Sequence, residues 1–270
     1  MSGFASIAAV LVVAWAALVI TAQLQNPDQS PLSMGMSGLA RGRFPWIMKS
    51  SFIVRGLSAL ALVAALPARL NVASLVLVGA ALLTVWGAGS AALALADTDM
   101  PGEPPTSVGA AHAIIALVVY IAGAAGAIAV SVAWLRSTGP TGVAIWALPV
   151  AVTATVALLV QFVAFGAQAR EARSAAAGQL VPGAAGAAAP AAMGASAAAP
   201  PLLGAGLAAR AAAARPASAP AAAASVPRPD RPGGAAGLLH DMASYAGLYQ
   251  RVFVGLLMVW TLLAALGIAL

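Results

Sequence analysis

Residues 109–135, GAAHAIIALVVYIAGAAGAIAVSVAWL, contain no Asp, Glu, Lys or Arg. A helix that crosses the roughly 30 Å hydrocarbon core of a bilayer needs about 20 mostly apolar residues, and this stretch exceeds that length. The stretch therefore predicts a transmembrane helix with a single ionisable group near its start, His112.

The composition of the whole chain points the same way. Of its 270 residues, 62% are apolar and only 7% are Asp, Glu, Lys or Arg. A soluble domain has about a quarter of its residues charged, because its surface must be wetted by water. This composition excludes a soluble globular protein and places the chain in lipid.

Cysteine content and charge distribution exclude further classes of function. The chain has no Cys, which rules out disulfides, thiolate metal sites, iron–sulfur ligation and a thiol nucleophile. The net charge of +6 does not indicate nucleic-acid binding, because the thirteen basic residues are spread between apolar stretches and form no single basic face. The common nucleotide-binding and serine-hydrolase motifs are absent, so we expect no cofactor.

Five further stretches are long and apolar enough to be membrane spans. They cover about residues 4–22, 46–66, 70–96, 142–166 and 252–270. The chain is thus predicted to be an all-α, polytopic membrane protein with a bundle of six transmembrane helices. Residues 1–166 hold the first five spans, residues 167–243 form an Ala/Pro-rich linker, and residues 244–270 hold the sixth span.

The predicted linker differs from the spans in its proline content. Nine of the eighteen prolines lie between Pro182 and Pro232. Proline at this spacing prevents a continuous membrane helix, and Ala contributes little to insertion into lipid. We therefore expect residues 167–243 to be disordered.

Six spans place the loops after spans one, three and five on the same side of the membrane. We call this side of the bundle the loop-rich end. Lys and Arg near the span ends are more numerous there, so this side is predicted to be cytoplasmic in a multi-pass protein of the cell membrane. The same alternation of the spans brings seven polar residues to one end of the bundle, where we predict a candidate polar pocket: Lys49, Arg55, Asp97, Asp99, His112, Gln161 and Arg251.

Ionisable groups within the hydrocarbon cost about 2.5 to 3.5 kcal/mol each, so every one of them needs a partner or a wet cavity. One interpretation is purely structural: Arg55 pairs with Asp97 or Asp99, and His112 donates a hydrogen bond to a neighbouring helix. In this interpretation Lys49 and Arg251 anchor the helices at lipid phosphates. The favoured function is binding or sensing of a lipid headgroup or small polar ligand, with membrane lipids as partners. Two alternatives are a metal-dependent hydrolase, and a proton-coupled or small-solute transporter. The hydrolase would use His112 and Asp99 around a metal, for which His112, Asp97 or Asp99, and also His240 and Asp241, are candidate ligands.

Three segments resemble a known family. They are SPLSMGMSGLARGRFPWIMKSSFIVRGLSALAL at 30–62, DTDMPGEPPTSVGAAHAIIAL at 97–117 and GLYQRVFVGLLMVWTLL at 247–263. Together they are similar to the prokaryotic membrane family catalogued as domain of unknown function number 998. The resemblance covers residues 5–170 and 244–270. It implies a six-helix integral membrane protein and favours Asp99, His112 and Arg251 as site residues, without implying a substrate.

Overall fold

A computed structural model describes residues 3–70, 74–100, 103–138, 142–179 and 234–269. These ranges contain helices and no β-strand. The α-helices are α1 (Gly3–Gln25), α2 (Pro45–Ala65), α3 (Ser74–Ala92), α4 (Ser107–Thr138), α5 (Ala144–Gln179), α6 (Gly234–Ser244) and α7 (Ala246–Ala269). Short 3₁₀ helices occupy Met36–Arg41 and Leu66–Ala68.

Six of these helices, all except α6, are long and apolar enough to cross a membrane. The prediction of an all-α, six-helix, multi-pass membrane protein is confirmed. Large apolar side chains also project outward, with Val10 66% and Leu159 60% exposed, as expected for helices that face lipid.

The ends of the helices follow local sequence signals. Proline is the first residue of α2, where its missing N–H costs no hydrogen bond. Gly142, with φ of +55°, lies in the turn before α5, a conformation that glycine adopts most readily. Helix α3 ends at Ala92, before the predicted boundary at residue 96, and α7 begins at Ala246, before the predicted residue 252.

The two ends of the predicted linker are helical, which corrects its boundaries. Helix α5 continues past residue 166 to Gln179, and α6 occupies Gly234–Ser244. Neither segment contains proline, and Ala is the strongest helix former, so the helical backbone continues where the prolines are missing. Residues 180–233 lie outside the described residues, so disorder there stays a prediction.

The helices pack as a ring in which sequence neighbours touch. Helices α1 to α5 contact one another in chain order, α7 packs on α5, and α7 also contacts α1. Close approach is possible because small residues line the contacts: a Cβ on Gly56 of α2 would overlap the backbone of Gly87 in α3. Trp260 is fully buried within the ring, and its indole N–H donates to Ser131 Oγ at 2.9 Å.

Candidate functional site

The loops after α1 and α3 and the end of α5 converge at the loop-rich end. The Arg41 side chain donates to Glu103 and to the carbonyl of Thr98, which joins the α1–α2 loop to the α3–α4 loop. Gln168, near the end of α5, donates from Nε2 to the carbonyl of Ser33 at 2.9 Å. These segments are therefore grouped as expected when six spans cross the membrane in alternating directions.

Lys49 and Asp97 form an ion pair at this end. The Lys49 Nζ lies 2.8 Å from Asp97 Oδ1, and the two side chains are 34% and 51% exposed. The proposed pairing of Arg55 with Asp97 or Asp99 is wrong, because Asp97 pairs with Lys49 and Asp99 binds Thr106. The physical reason is depth: Arg55 lies nearly two helical turns beyond Lys49 along α2, below the level of the aspartates.

Arg55 is buried inside the bundle and has no carboxylate partner among the described residues. It is 1% exposed, its Nε donates to Ser90 Oγ at 3.2 Å, and its Nη2 makes no hydrogen bond to any residue that the structure describes. The guanidinium lies 5.5 Å from the ring centroid of Phe52, which is a cation–π contact, and it also interacts with the Tyr120 hydroxyl. A serine, a tyrosine and an aromatic face thus surround this charge.

Tyr120 extends these interactions toward the loop-rich end. Gln250 Nε2 donates to the Tyr120 hydroxyl at 2.8 Å, and Gln250 Oε1 accepts the Met36 N–H at 2.6 Å. We call this set the buried polar network: Ser90, Arg55, Tyr120, Gln250 and the Met36 N–H. Ser90, Tyr120 and Gln250 were not among the predicted site residues. The one sequence signal that could have indicated them is that each is polar and lies within or beside an apolar span.

His112 lies at the same end, one turn into α4. It is 5% exposed, and its Nδ1 is 2.7 Å from the carbonyl oxygen of Ala96. Its ring meets the Phe52 ring edge to face, with 6.4 Å between centroids. Phe52 therefore contacts both His112 and Arg55, which places these two side chains near each other.

The described residues do not assemble a metal site around His112. No group of three His, Cys, Asp or Glu side chains in the described ranges could hold an ion. His240, which we considered as a further ligand, instead places Nδ1 3.0 Å from Glu171 Oε1. The geometry therefore offers no ligand set for the predicted metal-dependent alternative.

Arg251 and Gln161 do not lie together in one pocket. Arg251 Nη1 donates to the carbonyls of Pro31 and Met34, and its Nη2 donates to Gln23 Oε1 at 2.7 Å. Arg251 therefore fastens the loop after α1 onto α7. Gln161 is 2% exposed on α5, and within the described ranges its Oε1 has no hydrogen-bond partner.

An open groove of about 660 Å³ lies where the three segments converge. Its walls come from the loop after α1, the loop after α3, one residue of α4 and residues 165–172 of α5. The lining residues are Ser33, Met34, Gly35, Ser37, Gly38, Thr98, Asp99, Met100, Ala113, Phe165, Gln168, Ala169, Glu171 and Ala172. Asp99 is the one predicted pocket residue among them.

Asp99 is held by the residues that begin α4. Its Oδ2 accepts the Thr106 N–H at 3.0 Å and its Oδ1 accepts the Thr106 hydroxyl at 2.7 Å. These hydrogen bonds, chiefly the one from the hydroxyl, lower the pKa of Asp99 below its ordinary value. A Cβ on Gly109 would overlap this carboxylate, so only glycine permits the approach. Asp99 therefore presents a negative charge to the groove and stabilises the start of α4.

The profile of a family described as "Protein of unknown function (DUF998)" matches residues 7–170. This range contains most of α1, all of α2 to α4 and most of α5, and it confirms the resemblance there. Residues 244–270, which we included in the resemblance, lie outside the matched range. No curated protein and no solved structure matches the chain. The match covers more than half of the sequence, and the chain belongs to the family described as Protein of unknown function (DUF998).

Proposed function

We propose that this multi-pass protein, located in the cell membrane, binds a small polar ligand or a lipid headgroup in the groove at the loop-rich end. The observation that carries the proposal is the groove itself. Its volume of about 660 Å³ lies within the range of small-molecule sites, which are roughly 300 to 1,000 Å³. The proposed site shares Asp99 with the candidate pocket and otherwise consists of residues that the sequence did not indicate.

The walls of the groove suit a molecule with both polar and apolar parts. Phe165, Met34 and Met100 supply apolar surface, whereas Thr98 and the carboxylates of Asp99 and Glu171 supply polar contacts. Such mixed walls at the end of a helix bundle match the chemistry of a headgroup joined to its glycerol or acyl portion, or of a small amphiphilic solute.

The walls are also held in place before any ligand arrives. Arg251 fixes the carbonyls of Pro31 and Met34, and Gln168 fixes Ser33. The Thr106 hydrogen bonds fix Asp99. A site that is already ordered loses less conformational entropy when it binds, which favours recognition.

The two alternative functions gain no comparable support. For the hydrolase, Asp99 and His112 are engaged by Thr106 and by the Ala96 carbonyl, and the described residues bring no third ligand to them. For the transporter, His112 contacts a backbone carbonyl and an aromatic ring, and the part of the chain that the structure describes contains no hydrogen-bonded relay from His112 to an aspartate.

The proposal is tested by filling the groove. Ala113 lines the groove on α4, and Ala111, also exposed on α4 and two residues earlier, does not. Native mass spectrometry of protein extracted gently from membranes should show a bound molecule in the wild type and in Ala111→Trp, and its loss in Ala113→Trp. Equal occupancy in all three proteins, or an empty wild type that also binds no added lipid, would refute the proposal.

A further inference from the structure

We infer that the groove selects ligands that carry a positively charged amine, either a primary ammonium or a quaternary one. The inference rests on the proposed function, because it names the chemistry of the molecule that the groove would bind. The ammonium could belong to a lipid headgroup or to a free amphiphilic amine, and the two sources are separated by experiment below.

The first argument is the sign of the charge at the groove. Two of the lining residues are acidic, Asp99 and Glu171, and none is Lys or Arg. A ligand that enters therefore meets two carboxylates, one from the loop after α3 and one from α5, without a competing cation in the wall. Such charges attract cations and repel phosphate or carboxylate groups.

Basic residues near the groove make contacts of their own. Arg41 binds Glu103, and Lys49 pairs with Asp97. Arg251 donates to the carbonyls of Pro31 and Met34 and to Gln23, and Arg173 donates from Nε to the carbonyl of Ala169. None of these four cations lines the groove, so the charged side chains in its wall are the two carboxylates.

The two carboxylates retain acceptor capacity for a ligand. Asp99 accepts two hydrogen bonds from Thr106, whereas an ionised carboxylate offers about four acceptor positions. Glu171 contacts His240 through Oε1, and its Oε2 makes no hydrogen bond to the described residues. Glu171 is 45% exposed, so its carboxylate can be reached from the groove.

Phe165 supplies the contact that a quaternary ammonium needs. Such a group has no N–H to donate and is recognised by aromatic faces and by negative charge together. Phe165 lines the groove one and a half turns from Glu171 on α5, and the Met34 and Met100 thioethers add polarisable apolar surface. The groove thus combines aromatic surface with two anions, which suits both primary and quaternary amines.

The test uses matched probes on the full-length protein in lipid nanodiscs. Isothermal titration compares choline and ethanolamine with 3,3-dimethyl-1-butanol, which has the shape of choline but no charge. Glu171→Gln removes a carboxylate while keeping an acceptor for His240. Asp28→Asn is the control, since Asp28 is an exposed acid of the loop after α1 that does not line the groove.

We expect at least one of the two amines to bind about tenfold more tightly than the neutral alcohol, a ratio that corresponds to one charge-assisted contact. Glu171→Gln should weaken that binding about tenfold, and Asp28→Asn should leave it within about twofold. For a lipid source, native mass spectrometry should instead show that the wild type retains phosphatidylethanolamine or phosphatidylcholine over phosphatidylglycerol, and that Glu171→Gln loses this preference. Either pattern supports the inference.

The failures of the two proposals are distinguishable. The amine inference is overturned if the molecule that Ala113→Trp excludes is anionic or neutral, or if Glu171→Gln binds that molecule unchanged. In either case the groove remains a binding site. If no amine, anion or lipid occupies the groove in the wild type, and Ala113→Trp changes nothing, both proposals are overturned.

Discussion

The Nε of Arg55 donates to the Oγ of Ser90 at 3.2 Å, so the buried guanidinium of α2 is held by a hydroxyl on α3 and not by an aspartate. A charge this deep in a membrane bundle is costly unless its surroundings compensate. Ser90, the Phe52 ring and the Tyr120 hydroxyl provide that compensation from three helices. The relationship identifies the buried polar network, and not an ion pair, as the element that joins α2, α3, α4 and α7.

Removal of the Ser90 hydroxyl should destabilise the bundle. Ser90→Ala leaves the Arg55 Nε without a partner, which should lower the free energy of unfolding in detergent by about 1 to 3 kcal/mol. Replacing Arg55 by Met in the same background removes the unpaired charge and should recover much of this loss. Ser50→Ala is the control, because Ser50 makes no hydrogen bond within the described part of the chain. Equal stability of Ser90→Ala and Ser50→Ala would contradict the expected role.

The buried Tyr120 hydroxyl should contribute more to the free energy of unfolding than an exposed tyrosine hydroxyl. Tyr120→Phe leaves the Gln250 Nε2 and the Arg55 side chain short of a buried acceptor, and we expect a loss of about 1 to 3 kcal/mol in chemical denaturation. Tyr245→Phe, at a residue that is 44% exposed, should change stability by less than about 0.5 kcal/mol. Indistinguishable denaturation curves for the two variants would show that the network contributes nothing measurable.

Gly109 should not tolerate a side chain. Gly109→Ala places a Cβ on the Asp99 carboxylate, which should displace it from Thr106, whose hydroxyl caps α4 by accepting the Gly109 N–H, and should lower the melting temperature. Gly255→Ala in α7 meets no atom within 4 Å and should stabilise the protein by roughly 0.5 to 1 kcal/mol. Thermal unfolding of both variants measures the difference. The expectation fails if the two substitutions shift the melting temperature in the same direction.

Acid should remove the stabilisation that Asp99 provides. Its pKa is lowered in the folded protein, so its contribution is complete above the ordinary aspartate pKa of about 3.9 and is lost as the pH falls through the lowered value. Asp99→Asn should therefore be less stable than the wild type at neutral pH, and the two should converge in strong acid. Unfolding curves recorded across this range check the prediction, which a constant difference in stability would contradict.

Arg251 should control the mobility of the loop after α1. Arg251→Gln removes donors to Pro31 and Met34, so backbone amides of residues 28–36 should exchange hydrogen faster by about tenfold or more. Arg43→Gln is the matched control, because the exposed Arg43 side chain makes no hydrogen bond to the described residues. Hydrogen exchange followed by mass spectrometry compares the two. Unchanged exchange in Arg251→Gln would show that other contacts hold the loop.

Composition and the length of the apolar stretches were sufficient to predict the membrane class, the six spans and the convergence of the loops at the loop-rich end. Long uncharged stretches such as residues 109–135 have few alternatives to a membrane helix. Because each of the six spans crosses the bilayer once, alternate loops must lie on the same side. The end of the fifth span was placed too early at residue 166, since the proline-free residues 167–179 continue α5.

Side-chain partners could not be derived in the same way. The order of the spans predicts Lys49, Arg55 and Asp97 at one end of the bundle, but depth and rotation about each helix axis decided that Lys49, and not Arg55, reaches Asp97. The same is true of Glu171, which lay in the predicted linker and became a wall of the groove only because α5 continues past the membrane span.

The sequence by itself determined that this chain lies in a membrane as six helices and which of its loops lie together, because burial of apolar surface in lipid depends on composition summed along each span. Only the tertiary structure decided which polar atoms meet. A hydrogen bond or ion pair depends on ångström distances between side chains of different helices, and those distances are set by how small residues such as Gly56 and Gly87 let the helices approach.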